Sequence, residues 1–499
     1  MTELFRSPPL MQRRLLIASI FGVLICVVAI SSKSYWLDEA GVAWRATLPS
    51  LGEWWQRFRY GDANLQLPFY HIFVRCWVKL AGINEFALRF GNAPWFLLGL
   101  MVFVRALEGV GRLLSAAVLV LLTNPFVWYY LDEARPYAMQ IGASLIVFGA
   151  LFRLSREIES SKEFRWVGIL CFGAVLLAGS GLLAMLWLGA YLLAAAICVP
   201  KGRLKEVVQN YWPAWTATFV MLLIVGIYYL WTLTLGIRTQ MVGTTDLRNL
   251  PFVAYELLGF SGLGPSRLAI RAEGLNAFHG SVWLVIYGIF LGLVLVSGLR
   301  SVKDSTTRRT IFAWCCAFAV ICAFITGVGV AVRFRVLGRH FAPLIPLVVF
   351  VLGAGVVALL NRPSLLARAI PLGFLTLSLV SALSLRFNRR HAKDEYRGAA
   401  LIGVEALRKG EVVWWNADPD GALIYHLPLA ERDPSAKGVH FLMNPAKGFE
   451  QKLPKPDLVL ASKADVYDQK DALRDYLTRS GFTPVTNLPA FTAWHAPIK

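Results

Sequence analysis

Residues 11–40 read MQRRLLIASIFGVLICVVAISSKSYWLDEA. The apolar run over 15–31 is close to the length that a membrane-spanning helix needs, about 20 residues. Arg13 and Arg14 precede this run, and basic residues collect on the cytoplasmic side of membrane helices. The Asp38-Glu39 pair is therefore expected to emerge on the opposite face. This stretch predicts a membrane protein with acidic side chains at its outer surface.

The composition of the whole chain supports this class. Hydrophobic residue types make up 57% of the 499 residues and charged types only 16%, and the mean hydropathy is +0.55. Soluble domains carry about 25% charged residues, and disorder requires low hydrophobicity. The chain as a whole is therefore neither an ordinary soluble globular protein nor a disordered one. The formal net charge of +19 is not concentrated on a recognisable nucleic-acid-binding module, so no nucleic-acid partner is expected.

Eleven apolar stretches are predicted to span the membrane, and membrane lipids are therefore expected partners. They are 15–31, 87–107, 113–129, 137–154, 166–180, 182–199, 212–235, 279–299, 310–331, 341–360 and 366–385. Alternate crossings place the basic connecting segments in the cytoplasm. The outer face then receives the loops 32–86, 130–136, 236–278 and 332–340.

The apolar segment 68–81 is not counted as a span. It is only about 14 residues long, and Arg75 and Lys79 interrupt it. Counting it as a crossing would put the later basic segments on the wrong side of the membrane. We predict an interfacial or re-entrant helix that begins at Pro68.

Charge divides the chain near residue 385. Residues 386–499 contain 17 Lys and Arg and 14 Asp and Glu, whereas the longer segment 1–385 contains 33 and 17. We predict a transmembrane module over 1–385 and an extracytoplasmic soluble α/β domain over 386–499, for acceptor positioning or as a scaffold. Its apolar runs alternate with helical patterns at 398–409 and 471–480, and these runs are 412–415, 423–425, 439–443 and 458–461.

The seven cysteines lie in or beside apolar segments. No CxxC pair or Cys/His ligand spacing occurs among them. We therefore predict neither disulfides nor a structural zinc site.

Two matched acidic pairs follow predicted spans on the outer face. Residues 35–40 read YWLDEA, and residues 129–137 read YYLDEARPY. A carboxylate at an apolar boundary tends to have a raised pKa, which suits a general base near neutral pH. Each pair could instead cap a helix or pair with a nearby arginine.

These acidic pairs belong to an ordered set of motifs over residues 10–360. The set comprises Asp38-Glu39, NLQLPFYH at 64–71, GINEFALRF at 82–90, EARPYA at 133–138 and RHFAPLIP at 339–346. It resembles the motifs of GT-C glycosyltransferases that use polyprenyl-phosphate sugars, in particular protein O-mannosyltransferases and lipid A aminoarabinose transferases. Leu67 stands where that family has the first proline of its His-Pro-Pro-Leu-Tyr-like box.

The resemblance implies an enzyme of a bacterial inner membrane. It would transfer a sugar, with inversion, from a polyprenyl-phosphate donor to a lipid, polysaccharide (glycan) or protein acceptor on the outer face. Asp38 is the expected base for the acceptor hydroxyl. Glu39 or Asp132 would orient the acceptor or stabilise an oxocarbenium-like transition state, with the two acidic pairs converging on one substrate.

The leaving polyprenyl phosphate needs cations near its developing charge. Arginine binds phosphate through two parallel hydrogen bonds, and the outer loops offer Arg135, Arg238, Arg333, Arg335 and Arg339. Arg333 and Arg335 could instead reach lipid headgroups, and Arg135 could neutralise Glu133. The predicted substrate-binding residues are His71, Glu133, Arg135, Tyr137, Arg333, Arg335 and Arg339.

Two alternatives concern individual groups of this site. His71 could be a structural, hydrogen-bonded residue. The carboxylate pairs could hold Mg²⁺ or Mn²⁺, but the nearer relatives imply that no metal or other cofactor is required.

Two other functions remain open at the level of sequence. A membrane transporter or lipid flippase would show inverted repeats and helices broken at mid-membrane. No repeat is evident here, and the acidic pairs lie at helix ends. A non-catalytic assembly protein with an outer domain is the second alternative.

Overall fold

The computed structural model describes residues 9–60, 63–156, 160–199, 201–235, 245, 249–301, 305–331, 334–431 and 438–497. Most of the described chain is helical. The helices are α1 Pro9–Ala29, α2 Leu37–Ala46, α3 Leu51–Tyr60, α4 Pro68–Ala81, α5 Glu85–Phe90, α6 Ala93–Ala106, α7 Arg112–Thr123, α8 Pro125–Leu131, α9 Tyr137–Leu154, α10 Ser160–Ser180, α11 Leu182–Cys198, α12 Lys201–Asn210, α13 Trp212–Thr234, α14 Asn249–Leu257, α15 Arg267–Glu273, α16 Val282–Ser301, α17 Ser305–Ala331, α18 Ile345–Leu360, α19 Leu365–Phe387, α20 Tyr396–Arg408, α21 Pro419–Ile424, α22 Ala464–Tyr467 and α23 Ala472–Arg479. The strands are β1 Val413–Asn416, β2 Val439–Phe441, β3 Leu458–Ser462, β4 Thr483–Leu488 and β5 Phe491–His495.

Within the described residues, nine helical segments are long and apolar enough to cross a membrane. They are Met11–Ala29, Glu85–Ala106, Tyr137–Leu154, Glu163–Ser180, Trp212–Thr234, Val282–Ser301, Ile311–Ala331, Gly338–Leu360 and Leu365–Phe387. The pair α7 and α8 makes a tenth if it is taken as one span, bent by 54°. All eleven predicted segments are helical, but α11 has only 17 residues. The supported number is therefore nine or ten rather than eleven.

The segment excluded from the predicted spans forms a separate helix. α4 runs from Pro68 to Ala81 and has 14 residues, which is too short to cross about 30 Å of hydrocarbon. The proline stands at the first helical position, as predicted. Its placement at the membrane interface stays a prediction.

The described chain divides into two compact units. The first comprises Met1–Ile30, Arg59–Phe73 and Arg89–Asn388, and the second comprises Ser31–Phe58, Val74–Leu88 and Arg389–Lys499. The second unit thus contains most of the loop between the first two predicted spans as well as the C-terminal residues.

Small residues allow the central helices of the first unit to pack closely. A Cβ atom on Gly142 of α9 would lie 2.2 Å from the Trp95 carbonyl oxygen on α6. A Cβ atom on Gly355 of α18 would lie 1.9 Å from the Val294 carbonyl oxygen on α16. Neither position has room for a side chain, and such close contact between helix backbones is typical of membrane proteins.

The outer helices of the first unit expose apolar side chains. Phe219 and Ile224 on α13 and Phe312 on α17 are more than half exposed. In water such surfaces would cause aggregation, whereas a bilayer solvates them. These faces are consistent with contact to membrane lipids.

The second unit is built on one five-stranded sheet in the order β2-β1-β3-β5-β4. β1 pairs in parallel with β2 and β3, and β5 pairs antiparallel to both β3 and β4. Trp415 of β1 packs in the core on one face with Tyr396 of α20. Trp414 packs on the opposite face with Leu473 and Leu477 of α23, as the alternation of side chains along a strand requires.

The structure confirms the predicted α/β class but changes two details. The apolar run 423–425 forms the end of α21 and the residue after it, not a strand. The hairpin of β4 and β5 was not predicted.

Candidate active site

The second acidic pair lies in a turn at the end of a bent helix. The Asn124 carboxamide oxygen accepts hydrogen bonds from the backbone N–H groups of Phe126, at 2.9 Å, and Val127, at 3.2 Å. This cap starts α8 in a new direction after α7. Asp132 and Glu133 follow α8 directly and are only 7% and 0% exposed.

Arg89, near the end of α5, and Asn92, just before α6, hold this turn. Arg89 Nε lies 3.9 Å from Asp132 Oδ1, and the Arg89 side chain is fully buried. Asn92 Nδ2 donates hydrogen bonds to the carbonyl oxygens of Glu133, at 2.6 Å, and Leu131, at 3.1 Å. The motif at 82–90 thus supplies the cation beside the second acidic pair, a contact that spacing alone did not predict.

The arginine that follows the acidic pair contacts a different motif. Arg135 Nη1 donates a hydrogen bond to Asn64 Oδ1 at 2.7 Å, and Arg135 is 7% exposed. Asn64 opens the box at 64–71. This hydrogen bond therefore joins the motif at 64–71 to the motif at 133–138.

The late motif reaches the same turn through Arg339. Its guanidinium lies over the Tyr137 ring, 5.8 Å from the ring centre, in a cation–π contact. Arg339 belongs to the 3₁₀ turn Gly338–Leu344. Hydrogen bonds from Trp187 Nε1 to the His340 carbonyl, at 2.8 Å, and from the Tyr191 hydroxyl to the Pro343 carbonyl, at 2.6 Å, fix this turn against α11.

An ion pair that the sequence reasoning missed completes this region. Arg267 donates hydrogen bonds to the Tyr129 and Tyr130 hydroxyl oxygens, at 2.7 and 3.2 Å, and pairs with the Glu256 carboxylate. Glu256 Oε2 also accepts the Gly338 backbone N–H at 2.9 Å. The only sign of this ion pair in the sequence is Glu256, a single carboxylate inside the apolar run that forms α14.

The Arg267 side chain is 37% exposed although its partner Glu256 is 4% exposed. Arg267 is thus paired with a buried carboxylate but keeps part of its own surface available to a ligand. It lies beside the tyrosines that precede the second acidic pair, so it adds a cation to those predicted from the sequence.

The remaining cations and His71 are placed as follows. Arg335 is exposed in the segment before the 3₁₀ turn, whereas Arg333 and Arg238 lie outside the described residues. His71 is 2% exposed and packs edge-on against Tyr70, with ring centres 6.2 Å apart. Its burial favours the structural interpretation of this histidine.

The first acidic pair lies in the first turn of α2, in the second unit. Glu39 is fully buried; its Oε1 is 3.6 Å from Lys393 Nζ, and its Oε2 accepts the Trp36 backbone N–H at 3.3 Å. Asp38 is half-buried. Asp38 is therefore the more accessible of the two carboxylates, as the assignment of the base requires.

C-terminal residues hold the segment before α2. The Tyr425 hydroxyl accepts the Tyr35 backbone N–H at 2.8 Å and donates to Glu85 Oε1 at 2.8 Å. Arg397 Nη1 lies 3.0 Å from the same Glu85 oxygen. The glutamate of the motif at 82–90 thus has a structural role in the second unit.

Within the described part of the chain, no group of three or more His, Cys, Asp and Glu side chains could hold a metal ion. Arg89 lies beside Asp132, and Lys393 lies beside Glu39.

Comparison with known proteins places the fold. No family model matches the sequence, and no curated protein matches it significantly. The crystal structure of apo ArnT from Cupriavidus metallidurans is similar, with a TM-score of 0.56, 12% identity, and coverage of 97% of this chain and 98% of that one. ArnT bound to undecaprenyl phosphate gives a TM-score of 0.50 at 13% identity, with coverage of 96% and 97%.

A mycobacterial arabinofuranosyltransferase, AftD, has a TM-score of 0.48 and 14% identity; the match covers 98% of this chain and 40% of AftD. The two ArnT structures show that this chain has the polytopic GT-C fold with a C-terminal sheet domain, as the motifs predicted.

Proposed function

We propose that this protein is an inverting glycosyltransferase of the membrane. It moves a sugar from a polyprenyl-phosphate donor to a lipid, polysaccharide or protein acceptor on the extracytoplasmic face. Nucleotide sugars are confined to the cytoplasm, so a membrane-anchored donor is a suitable supply there.

One observation carries the proposal: separate motif segments meet at the turn 132–137. Arg89 reaches Asp132, Asn64 binds Arg135, and Arg339 covers Tyr137. Such a convergence of charged groups in an otherwise apolar protein favours a functional site. The fold supports the same reaction class, and the ArnT structure with undecaprenyl phosphate supports a lipid phosphate as the leaving group.

The proposed step is a single displacement at the anomeric carbon. The acceptor hydroxyl oxygen forms the new bond, and the bond between the sugar and the phosphate oxygen breaks. Polyprenyl phosphate leaves with the electron pair, and the Asp38 carboxylate takes the acceptor proton.

The developing charge on the phosphate needs a preorganised cation. Arg267 and Arg339 are partly exposed, and they contact the tyrosines on either side of the acidic turn of the first unit. Tyr129 and Tyr137 hold their guanidinium groups. We assign these two arginines to the lipid phosphate.

The test uses the full chain in proteoliposomes with a panel of undecaprenyl-phosphate hexoses and pentoses. Release of undecaprenyl phosphate and labelling of lipid, glycan or protein fractions are measured. Asp38→Asn is expected to lower transfer by about 10²–10⁴-fold, because general-base catalysis contributes that much. Asp475→Asn, an exposed aspartate on α23, is the control and should leave transfer unchanged.

Two results would contradict the proposal at different points. Full activity of Asp38→Asn would remove this residue as the base. Absence of transfer with every donor, in the unmutated protein, would favour transport or lipid flipping instead.

A further inference from the structure

Helix α2, which carries Asp38, is anchored to the C-terminal sheet domain at its far end. Arg45 Nη2 lies 3.4 Å from Asp420 Oδ2, and the two side chains are 8% and 12% exposed. Asp420 lies on α21, directly after β1. A Cβ atom on Gly41 would lie 3.2 Å from Asp420 Oδ2, so α2 contacts this carboxylate closely.

The near end of α2 is anchored to the same domain. Lys393 Nζ approaches Glu39 Oε1, at 3.6 Å, just before α20 begins. Asp38 directly precedes Glu39, the first of these anchored residues, on a helix of ten residues. Both ends of a short helix are thus fixed by residues that lie more than 300 positions later in the chain.

Asp38 also lies close enough to Tyr467 of α22 to act on it electrostatically. Burial raises the pKa of the Tyr467 hydroxyl above its usual range, and the nearby carboxylates of Asp418, Asp394 and Asp38 add to this effect. The Tyr467 hydroxyl lies 3.3 Å from that of Tyr396, which begins α20. The helix that carries Asp38 is therefore held by residues of the sheet domain at Glu39 and at Arg45.

We propose that Arg45 and Asp420 are positioning residues for Asp38. Through this pair the sheet domain fixes the orientation of the base. The inference rests on the proposed function, because it requires Asp38 to accept the proton. It gives the C-terminal domain a role in orienting the base, and not in the chemical step itself.

The physical reason lies in the precision that general-base catalysis needs. A base must come within hydrogen-bonding distance of the proton that it removes, and small misplacements in such a site lower rates strongly. Loss of one anchor frees one end of α2 while Asp38 itself remains present. The expected effect falls on kcat rather than on donor binding.

The experiment compares Asp420→Asn and Arg45→Lys with the unmutated protein in proteoliposomes. Asp420→Asn is expected to lower kcat at least 10-fold per folded molecule, with the KM for the donor changed less than threefold. Arg45→Lys keeps the positive charge, so its kcat should lie between that of Asp420→Asn and that of the unmutated protein. The matched control is Glu405→Gln, whose partner Lys409 lies 3.1 Å away at the exposed surface of the same domain.

Each outcome decides one question. Wild-type kcat in folded Asp420→Asn or Arg45→Lys would overturn the positioning role, whereas absence of transfer by the unmutated protein would refute the proposed function. If Asp420→Asn does not fold, Arg45→Lys decides the question. A purely structural role would reduce the yield of folded protein and leave kcat per folded molecule unchanged.

Discussion

Arg89 Nε lies 3.9 Å from Asp132 Oδ1, with the arginine side chain completely buried. The two residues belong to different motifs, and each carries a charge that is costly to bury alone. Their pairing makes the charge of either one tolerable inside the first unit.

Replacing Arg89 with methionine should strongly destabilise the protein. Removing one partner of a buried ion pair costs about 3–5 kcal/mol, because it leaves the other charge uncompensated. The thermal unfolding temperature in detergent is the measurement. Arg105→Met is the control, since the pair of Arg105 with Glu108 is partly exposed and should be worth at most about 1 kcal/mol; equal effects of the two variants would contradict this assignment.

Arg267→Gln should weaken donor binding. Hydrogen bonds to charged groups are worth about 1.5–3 kcal/mol, so the KM for the polyprenyl-phosphate donor should rise by about 10- to 100-fold. Initial rates at varied donor concentration provide the measurement. Arg271→Gln, one turn later on α15 and exposed, should leave the KM unchanged; an unaltered KM in Arg267→Gln would show that this guanidinium does not contact the donor.

The stability of the second unit should depend on pH through the ionisation of Asp418. Burial, together with the Asp420 carboxylate, raises the pKa of Asp418 from 3.8 to about 8. Between these values the folded state binds more protons than the unfolded state, so the free energy of unfolding falls as pH rises. Asp418→Asn removes the titrating carboxyl group. The unfolding temperature of this variant should therefore decline less from pH 5 to pH 8 than that of the wild-type protein.

The matched variant for this pH series is Asp475→Asn. Asp475 is exposed on the same domain, so the wild-type slope should persist. Identical slopes for Asp418→Asn and wild type would show that Asp418 ionises normally in the folded protein.

Transfer should not require a divalent cation. Arg89 lies beside Asp132 and Lys393 beside Glu39, so side chains of the protein balance these carboxylates. Treatment with EDTA should leave the rate within about twofold, which corresponds to a change of only about 0.4 kcal/mol in the activation free energy. A loss of transfer that Mg²⁺ or Mn²⁺ restores would contradict this prediction.

The sequence predicted the helical segments well because spanning length and hydropathy are local properties. It did not predict the breaks inside them. The run 113–129 bends at Asn124-Pro125, and α5 and α6 are separate helices. A hydropathy average passes over such breaks, although an Asn-Pro dipeptide is a recognised turn signal.

The acidic and basic residues of the site were also predictable, but their pairings were not. Motif order indicated Asp132, Arg135 and Arg339, yet the contacts of Arg89 with Asp132 and of Arg135 with Asn64 depend on tertiary packing. Glu256 and Arg267 were missed because the loop 236–278 offered no periodic pattern.

The C-terminal domain shows the same limit. Its class followed from alternating apolar runs, but β4 contains a proline and an asparagine, which disfavour strands. Pairing with β5 overrides that local preference. The inclusion of α2 in the same compact unit joins residues that are distant in sequence, which no local pattern reports.

The anchoring of α2 by Asp420 also sets an order of maturation. A ribosome adds about 5–20 residues per second, so the partner of Arg45 leaves the ribosome roughly 20–80 s after α2 itself. Throughout that interval α2 lacks the carboxylate that holds Arg45. Under the proposed function, transfer can therefore begin only when translation is nearly finished.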